Sequence, residues 1–230
     1  EVGSSTIAFH LPILRQLGWN RRLDEKNVLT MLRSMTISSL GLAGHKETIQ
    51  KAQQLFKQIQ ENKEVDPNLR GAIYTLAAWH GKPALYTYFF ERYKQETIPE
   101  ENRKLLRTLA LFRDKETSQR ALDLSQSSEV RLQDSFVIPM SLTLNPIGST
   151  LLWSWTKKNW LQFIQKYSGG THMLAHFVQN LAFIDTVRQQ HEFQDFFSKK
   201  EHQRDDIKMA VRQTLERIQV NIAFRKKNRF

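Results

Sequence analysis

Two histidines in the C-terminal half of the chain have a spacing that could bind a metal. His172 and His176 lie four residues apart, which places both imidazoles on one face of a helix. The HExxH zinc motif uses this spacing, and Asp195 could supply a third ligand. That motif also needs a glutamate after the first histidine as general base, and position 173 is methionine. We therefore predict two ordinary histidines on a partly exposed helix and no metal site within this chain.

The other groups that could do chemistry are also better explained by helix structure. Glu100-Glu101 and Asp205-Asp206 are adjacent pairs near helix starts, and adjacent residues do not face each other on a helix. Gly169-Gly170 is typical of a helix terminator. The sequence contains no cysteine, no phosphate-binding glycine loop and no Gly-x-Ser-x-Gly elbow. We therefore find no catalytic residues and expect this chain alone to be inactive.

The elements that must position any functional residue are helices. Apolar residues recur at helical spacing, and proline, glycine or a capping side chain separates most of the runs. In the first run, Leu29, Leu32 and Met35 share one face of the helix. The predicted helices run from Asp24 toward Gly41 or Gly44, from Lys46 to Asn62, from Asp66-Pro67 to Gly81, from Pro83 through Tyr93, from Pro99 through Phe112, around Ala121, through Phe136 and Met140 with a kink at Pro139, from Asn145-Pro146 through Trp155, from Trp160 to Tyr167, from Thr171 to Ile184, from Val187 to Ser198, and from Gln203 to Phe224.

The arrangement of these helices predicts an all-α fold of stacked antiparallel hairpins. Period-two alternation never persists between turn residues, so we expect no strands. Connections are short, and several helix starts recur at intervals that suit HEAT or armadillo-like repeats, namely at Asp24, Asp66, Pro99 and Val130. No linker rich in glycine, serine or proline interrupts the chain, so residues 1–230 are predicted to form a single domain.

Composition narrows the possible partners. The net charge is +11, but the basic residues are spread along the chain, and the densest cluster, 225–229, is interpreted as a solvated tail. We therefore predict no nucleic-acid partner.

The sequence also bears on where the protein is found. No apolar run approaches the roughly 20 residues of a membrane span, so no span is expected. The first residues lack the features of a signal peptide and are expected to lie inside a longer protein. With no cysteine to favour an oxidising compartment, a cytoplasmic location is expected.

A series of short motifs covers nearly the whole chain in a characteristic order. The motifs are Leu17-Gly18-Trp19 with Asp24 and Met31-Leu32-Arg33, Ala52 to Phe56, Val65 to Arg70 with Tyr74 and Gly81, Tyr86 to Tyr93, Leu106 to Leu111 with Asp114, Arg131 to Asp134, Asn145 to Gly148 with Trp153 and Trp160, Phe183 to Phe197, and Glu216 to Phe224. Each motif alone is weakly specific. The ordered series resembles the C-terminal helical domain of zinc aminopeptidases of the aminopeptidase N and endoplasmic-reticulum aminopeptidase type.

The resemblance implies that this chain is the non-catalytic C-terminal domain of an enzyme that removes N-terminal residues from peptides. In that family a separate upstream domain holds HExxH and zinc, so zinc is expected there and no cofactor is expected in this chain. The family's helical domain curves into a superhelical bowl that caps the active site and shapes the substrate chamber. The expected partners are therefore the catalytic domain of the same polypeptide and peptide substrates.

Five polar residues are candidates for the inner, substrate-facing surface of such a bowl. They are Arg33, Arg70, Tyr74, Arg107 and Gln133. For each one the alternative is a structural role, such as a hydrogen bond at a helix end or between helices.

The sequence departs from the family at two positions. Several relatives have a basic residue just before the Asn-x-x-Gly motif, where this chain has Leu144, so a contact with a peptide carboxylate could be absent here. Phe224 replaces the usual tryptophan.

Two other functions stay open from the sequence. One is an independent HEAT-like scaffold that binds a protein partner. The other is a nucleic-acid binder driven by the positive charge, whose affinity would fall steeply with salt.

Overall fold

Helix follows helix along the chain in the computed structural model, which describes residues 2–167 and 172–228. Within those ranges there is no β-strand, so the prediction of an all-α helical-hairpin fold is confirmed. None of the helices in the described ranges combines the length and the apolar character needed to cross a membrane. The α-helices of the described residues are α1 (Val2–Leu17), α2 (Asn27–Leu42), α3 (Lys46–Gln60), α4 (Pro67–Trp79), α5 (Leu85–Gln95), α6 (Pro99–Leu109), α7 (Lys115–Gln126), α8 (Val137–Leu142), α9 (Pro146–Lys166), α10 (His172–Asn180), α11 (Val187–Ser198) and α12 (Asp205–Asn228).

Capping side chains and prolines fix several helix starts where the sequence predicts them. The Asp66 carboxylate accepts a hydrogen bond from the backbone N–H of Asn68, and Pro67 opens α4. The Asn145 side chain accepts from two backbone N–H groups in the first turn of α9, which begins at Pro146. Pro99 is the first residue of α6, which has no side-chain cap. These three predicted starts are confirmed.

Other predicted boundaries are wrong. Asp24 does not cap a helix, because it lies at φ 61° in the preceding loop and α2 begins only at Asn27. The helices predicted to end near Trp155 and to begin near Trp160 form one continuous helix, α9, because no helix-breaking residue separates them. The sequence reading also missed α1, whose apolar residues are interrupted by Pro12 within the helix.

The helix predicted from Thr171 to Ile184 is shorter than expected. The α-helix α10 ends at Asn180, and the next three residues, Leu181–Phe183, form a 3-10 turn. The predicted terminator Gly169-Gly170 and the residue Thr171 lie outside the described residues.

The chain divides into two compact units, Glu1–Thr117 and Ser118–Phe230, and the division falls within α7. In the first unit α2, α4 and α6 pack side by side, while α1, α3 and α5 each pack on the helix that follows them. This alternation gives the unit two layers of helices. The approach of α2 to α4 is close, since a Cβ built on Gly41 would overlap the buried side chain of Leu76. Glycine at position 41 therefore allows the tight contact.

The second unit is held together by aromatic rings. Phe163, which has no exposed surface, contacts Phe136, Trp155, Tyr167 and Phe177, so α9, α10 and the residue that precedes α8 share one ring cluster. A second cluster joins α9 to α11 through Trp153, Trp160, Phe193, Phe196 and Phe197. The long helix α12 packs against α10 and α11.

The apolar face predicted for α2 is not its buried face. Met35 is 64% exposed, and Leu29 and Leu32 are each 37% exposed. The core side of α2 is formed instead by Thr30, Arg33, Thr36, Ile37, Leu40 and Gly41. The helical period is as predicted, but Thr30 and Arg33 bind Glu25 inside the unit, and Thr36 is buried on the same side of the helix. The apolar residues Leu29, Leu32 and Met35 therefore lie toward the surface.

Candidate functional site

Arg33, the first of the predicted substrate-facing residues, lies in the interior of the first unit. Its side chain has no exposed surface. Its Nη1 and Nη2 donate to the two carboxylate oxygens of Glu25 at 2.7 and 2.6 Å. Nε donates to the carbonyl of Gly18 at 3.0 Å, and Nη2 also donates to the carbonyl of Leu17 at 3.1 Å. The guanidinium therefore caps the C-terminal end of α1, which is the structural alternative that the sequence had left open for Arg33.

Glu25 is as fully engaged as Arg33. It also accepts from the Thr30 hydroxyl at 3.1 Å. The hydrogen bonds from Arg33 lower the pKa of the Glu25 carboxyl from 4.5 to about 2, even though burial opposes this shift. The same pair raises the pKa of Arg33. The carboxylate and the guanidinium thus both stay charged across the range in which proteins work.

Tyr74 is also buried. Its ring meets Phe56 and Phe89 edge-on, and burial raises the pKa of its hydroxyl. Arg70 is half-buried beside Glu101, with Nη1 3.9 Å from the nearest carboxylate oxygen. The Nε of Arg70 is buried and has no hydrogen-bond partner among the residues that the structure describes. Of these two residues, only Arg70 offers polar surface to a ligand.

Arg107 is exposed and lines a groove between α2, α4 and α6 with a volume of about 540 Å³, which we call the basic groove. This size lies within the usual range of ligand sites. The residues that line the basic groove are Thr30, Met31, Ser34, Met35, Ser38, Ser39, Asn68, Gly71, Ala72, Thr75, Glu100, Lys104 and Arg107.

The chemistry of the basic groove changes from one helix to the next. On α2 the groove is lined by hydroxyl side chains and by two exposed apolar residues, Met31, at 65% exposure, and Met35. The middle wall, α4, contributes small residues, and a Cβ built on Gly71 would have its nearest neighbour, the Lys104 side chain, 4.0 Å away. The third wall, α6, contributes Glu100, Lys104 and Arg107, so its cations outnumber its carboxylates. The groove thus joins a flexible apolar surface to a cationic one.

Lys104 is held in place, whereas Arg107 forms no salt bridge with any residue in 2–167 or 172–228. The Lys104 Nζ lies 2.7 Å from Glu101 and 3.7 Å from Glu100, and it donates to the carbonyl of Pro67 at 3.3 Å. The ammonium is therefore partly neutralised by the carboxylates beside it. Arg107 gives the basic groove its more available positive charge.

Gln133, the fifth predicted residue, is exposed in the 3-10 turn Leu132–Asp134 of the second unit. Leu144, at the position where relatives have a basic residue, is 69% exposed. The sequence reading missed Met31, Met35 and Lys104. A usable signal was the composition of α2, in which Arg33 is the single charged residue although much of the helix surface is exposed.

The histidine pair does not form part of a metal site in the described structure. His172 and His176 are both exposed on α10, and Asp195 is exposed on α11. Among residues 2–167 and 172–228, no group of three histidine, cysteine or acidic side chains is arranged to hold a metal ion.

The fold and its surfaces define a helical-hairpin domain whose candidate functional surfaces are grooves between helices. Sequence comparison then gives the family, because residues 6–220 match the ERAP1-like C-terminal domain. The chain belongs to this family, and the resemblance drawn from the ordered motifs is confirmed.

Individual relatives are aminopeptidases from animals and plants. The chain is 29% identical over 224 residues to a glutamyl aminopeptidase of Bos taurus, a match covering 95% of this chain and 23% of that protein. It is 27% identical over 222 residues to aminopeptidase M1-A of Oryza sativa subsp. japonica, covering 94% of this chain and 25% of the relative. The chain thus spans about a quarter or less of the length of these relatives.

Proposed function

We propose that this chain is the non-catalytic C-terminal domain of a zinc-dependent aminopeptidase that removes N-terminal residues from peptides. Its role is to cap the active site and to form part of the wall of the substrate chamber. The match of residues 6–220 to the ERAP1-like C-terminal domain is the observation that carries the proposal. The names of the aligned relatives, glutamyl aminopeptidase and aminopeptidase M1, supply the reaction class.

In this proposal zinc belongs to the catalytic domain of the longer polypeptide. A zinc ion in a peptidase activates a water molecule and polarises the scissile carbonyl. The residues of the present chain supply binding surface. The cytoplasmic location expected from the cysteine-free sequence stays part of the proposal.

The basic groove is the surface that we assign to the peptide. Arg107 is exposed and can pair with a peptide carboxylate, and Lys104 adds positive charge at the same wall. Met31 and Met35 present flexible thioether side chains that adapt to different apolar residues. A peptide lying across α2, α4 and α6 would therefore meet apolar surface at one side of the groove and cationic surface at the other.

A HEAT-like scaffold for a protein partner is the second candidate function. The exposed apolar residues of α2 favour it, because contiguous apolar surface often marks a protein interface. The two functions lead to different expectations for the polypeptide that contains this chain. An aminopeptidase cleaves peptides, whereas a scaffold only binds a partner.

An activity assay on the polypeptide that contains this chain separates them. We expect that polypeptide to release amino acids from aminoacyl fluorogenic reporters, to lose this activity with a metal chelator, and to regain it with Zn²⁺. The 230-residue chain alone should release none. An inactive parent polypeptide with all metals tested would reject the aminopeptidase proposal and favour the scaffold.

A further inference from the structure

A second groove lies in the second unit, between α10, the 3-10 turn after it and α12. It has a volume of about 760 Å³. Four of its lining side chains are carboxamides, so we call it the carboxamide groove. The residues that line it are Thr143, Gln179, Asn180, Ala182, Phe183, Gln213, Glu216, Arg217, Val220 and Asn221.

The walls of the carboxamide groove are fixed to each other. The single proton of the fully buried Thr214 hydroxyl is shared between the carbonyl of Ala210 in its own helix, at 2.7 Å, and that of Val178 in α10, at 3.1 Å, which links α12 to α10. The Asn221 Nδ2 donates to the carbonyl of Ala182 at 2.6 Å and ties α12 to the 3-10 turn. A groove with walls locked in this way needs little reorganisation when it binds a ligand.

The hydrogen-bonding groups along the groove match those of a peptide main chain. The Gln179 Nε2 donates to the Gln213 Oε1 at 3.1 Å, which leaves the Gln179 Oε1 as an acceptor and the Gln213 Nε2 as a donor. One acceptor beside one donor is the pattern that an extended peptide unit complements. Asn180 and Asn221 donate to backbone carbonyls, so their Oδ1 atoms are further acceptors for peptide N–H groups.

The charge of the groove favours a neutral ligand group. Its two lining charges, Glu216 and Arg217, have opposite sign, in contrast to the cationic wall of the basic groove. A neutral surface that offers both donors and acceptors suits main-chain amides better than side-chain carboxylates.

We propose that the carboxamide groove binds the extended main chain of a peptide, independently of the peptide's side-chain sequence. The proposal takes from the proposed function only that peptides are the ligands. Contact through the main chain would let one surface accept peptides of many sequences.

The test uses this chain and a short alanine–serine peptide with an acetylated N-terminus and an amidated C-terminus, titrated while the side-chain carboxamide NMR signals are followed. We expect the signals of Gln179 and Gln213 to shift on titration, and a peptide with N-methylated amides to bind about two- to tenfold more weakly because it lacks the N–H donors. Equal binding of the two peptides, or shifts that spare both glutamines, would overturn the proposal.

A matched pair of variants locates the effect. Gln213→Leu should weaken binding of the capped peptide about two- to tenfold, whereas Gln219→Leu, exposed on the same helix outside the groove, should leave it unchanged. Gln179→Leu is the second groove variant if Gln213→Leu does not fold. Equal effects of a groove variant and Gln219→Leu would overturn the assignment.

Failure of the carboxamide groove as a peptide site can be told apart from failure of the aminopeptidase proposal. Peptide binding by this chain, together with an inactive parent polypeptide, would keep the groove and reject the aminopeptidase. An active parent polypeptide, together with no selective binding at Gln179 and Gln213, would reject the groove and keep the aminopeptidase.

Discussion

The two compact units present grooves of different character. The basic groove of the first unit has Arg107, Lys104 and Glu100 on one wall and two methionines on another. The carboxamide groove of the second unit has amide side chains and one charge of each sign. The first is suited to charged or apolar side chains and the second to main-chain amides, so one helical architecture can offer two kinds of peptide contact.

The interiors of the two units differ as well. The first unit encloses the fully buried ion pair of Arg33 and Glu25 beside a ring cluster around Phe89, whereas the second unit packs around the rings of Phe163 and Trp160. A buried ion pair contributes stability only while both partners are present and charged. Packing between phenyl and indole rings carries no such charge requirement. Charge changes at Arg33 or Glu25 should therefore lower the stability of the first unit.

Removal of the buried guanidinium should give the largest effect. Arg33→Met leaves Glu25 without its partner and the carbonyls of Leu17 and Gly18 without their donor, so we expect the free energy of unfolding of the first unit to fall by about 3–5 kcal/mol. Hydrogen exchange, read separately for the two units, measures this loss. Arg107→Met on the exposed wall is the control and should change stability by less than about 0.5 kcal/mol. Equal losses of unfolding free energy in Arg33→Met and Arg107→Met would contradict the claim that the first unit depends on its buried ion pair.

Replacement of two helix glycines of the first unit by alanine should change the stability of the protein in opposite directions. Gly41→Ala places a methyl group against the Leu76 side chain and should destabilise the protein by about 1–3 kcal/mol through overpacking. Gly71→Ala faces open space on α4 and should be stabilising by about 0.4–1 kcal/mol, since alanine restricts the unfolded chain. Urea unfolding of both variants measures the two effects. A Gly41→Ala variant as stable as the wild type would show that α2 and α4 are not tightly packed.

Acid should destabilise the first unit through Glu25. The pKa of this carboxyl is about 2 in the folded chain against its ordinary 4.5, so the stabilisation is complete above pH 4.5 and is lost as the pH falls toward 2. Hydrogen exchange at a series of pH values should show this loss in the first unit, and Arg33→Met should reduce it. An unchanged pH dependence in Arg33→Met would assign the acid sensitivity to other carboxyls.

The smallest expected effect comes from adding charge beside the carboxamide groove. Leu144 is exposed and follows Thr143, which lines that groove. Leu144→Arg should make this chain prefer peptides with a free C-terminal carboxylate over their amidated forms by up to about fivefold, the scale of an exposed ion pair. Calorimetric titration with matched peptides at low salt measures the preference. Glutamine at the same position is the uncharged control and should show no such preference.

The sequence predicted much of the fold because local signals determine it. Asp66, Pro99 and Asn145 mark helix starts through caps and prolines, which act within one turn. The burial of α2 could not be predicted in the same way. The interior position of Arg33 depends on Glu25, on the end of α1 and on the approach of α4 across Gly41, and these contacts join distant segments.

The sequence predicts a surface-exposed site residue only where its place on one helix decides its exposure. Arg107 lies on the outer face of a short amphipathic helix, whereas Tyr74 lies in a ring cluster built from α3, α4 and α5. Family motifs include both residues, and a motif alone does not separate a packing residue from a binding residue. The carboxamide groove was missed because its glutamines and asparagines are distributed between α10 and α12.

The most direct test of the central claim is a comparison of two substrates in the polypeptide that contains this chain. With Arg107→Ala, we expect the KM for a peptide that contains acidic residues to rise about two- to fivefold, because an exposed ion pair is lost. The kinetics on a single-residue aminoacyl reporter, too short to reach the basic groove, should stay unchanged. A variant that changes both substrates equally, or neither, would contradict the assignment of the basic groove to the substrate chamber.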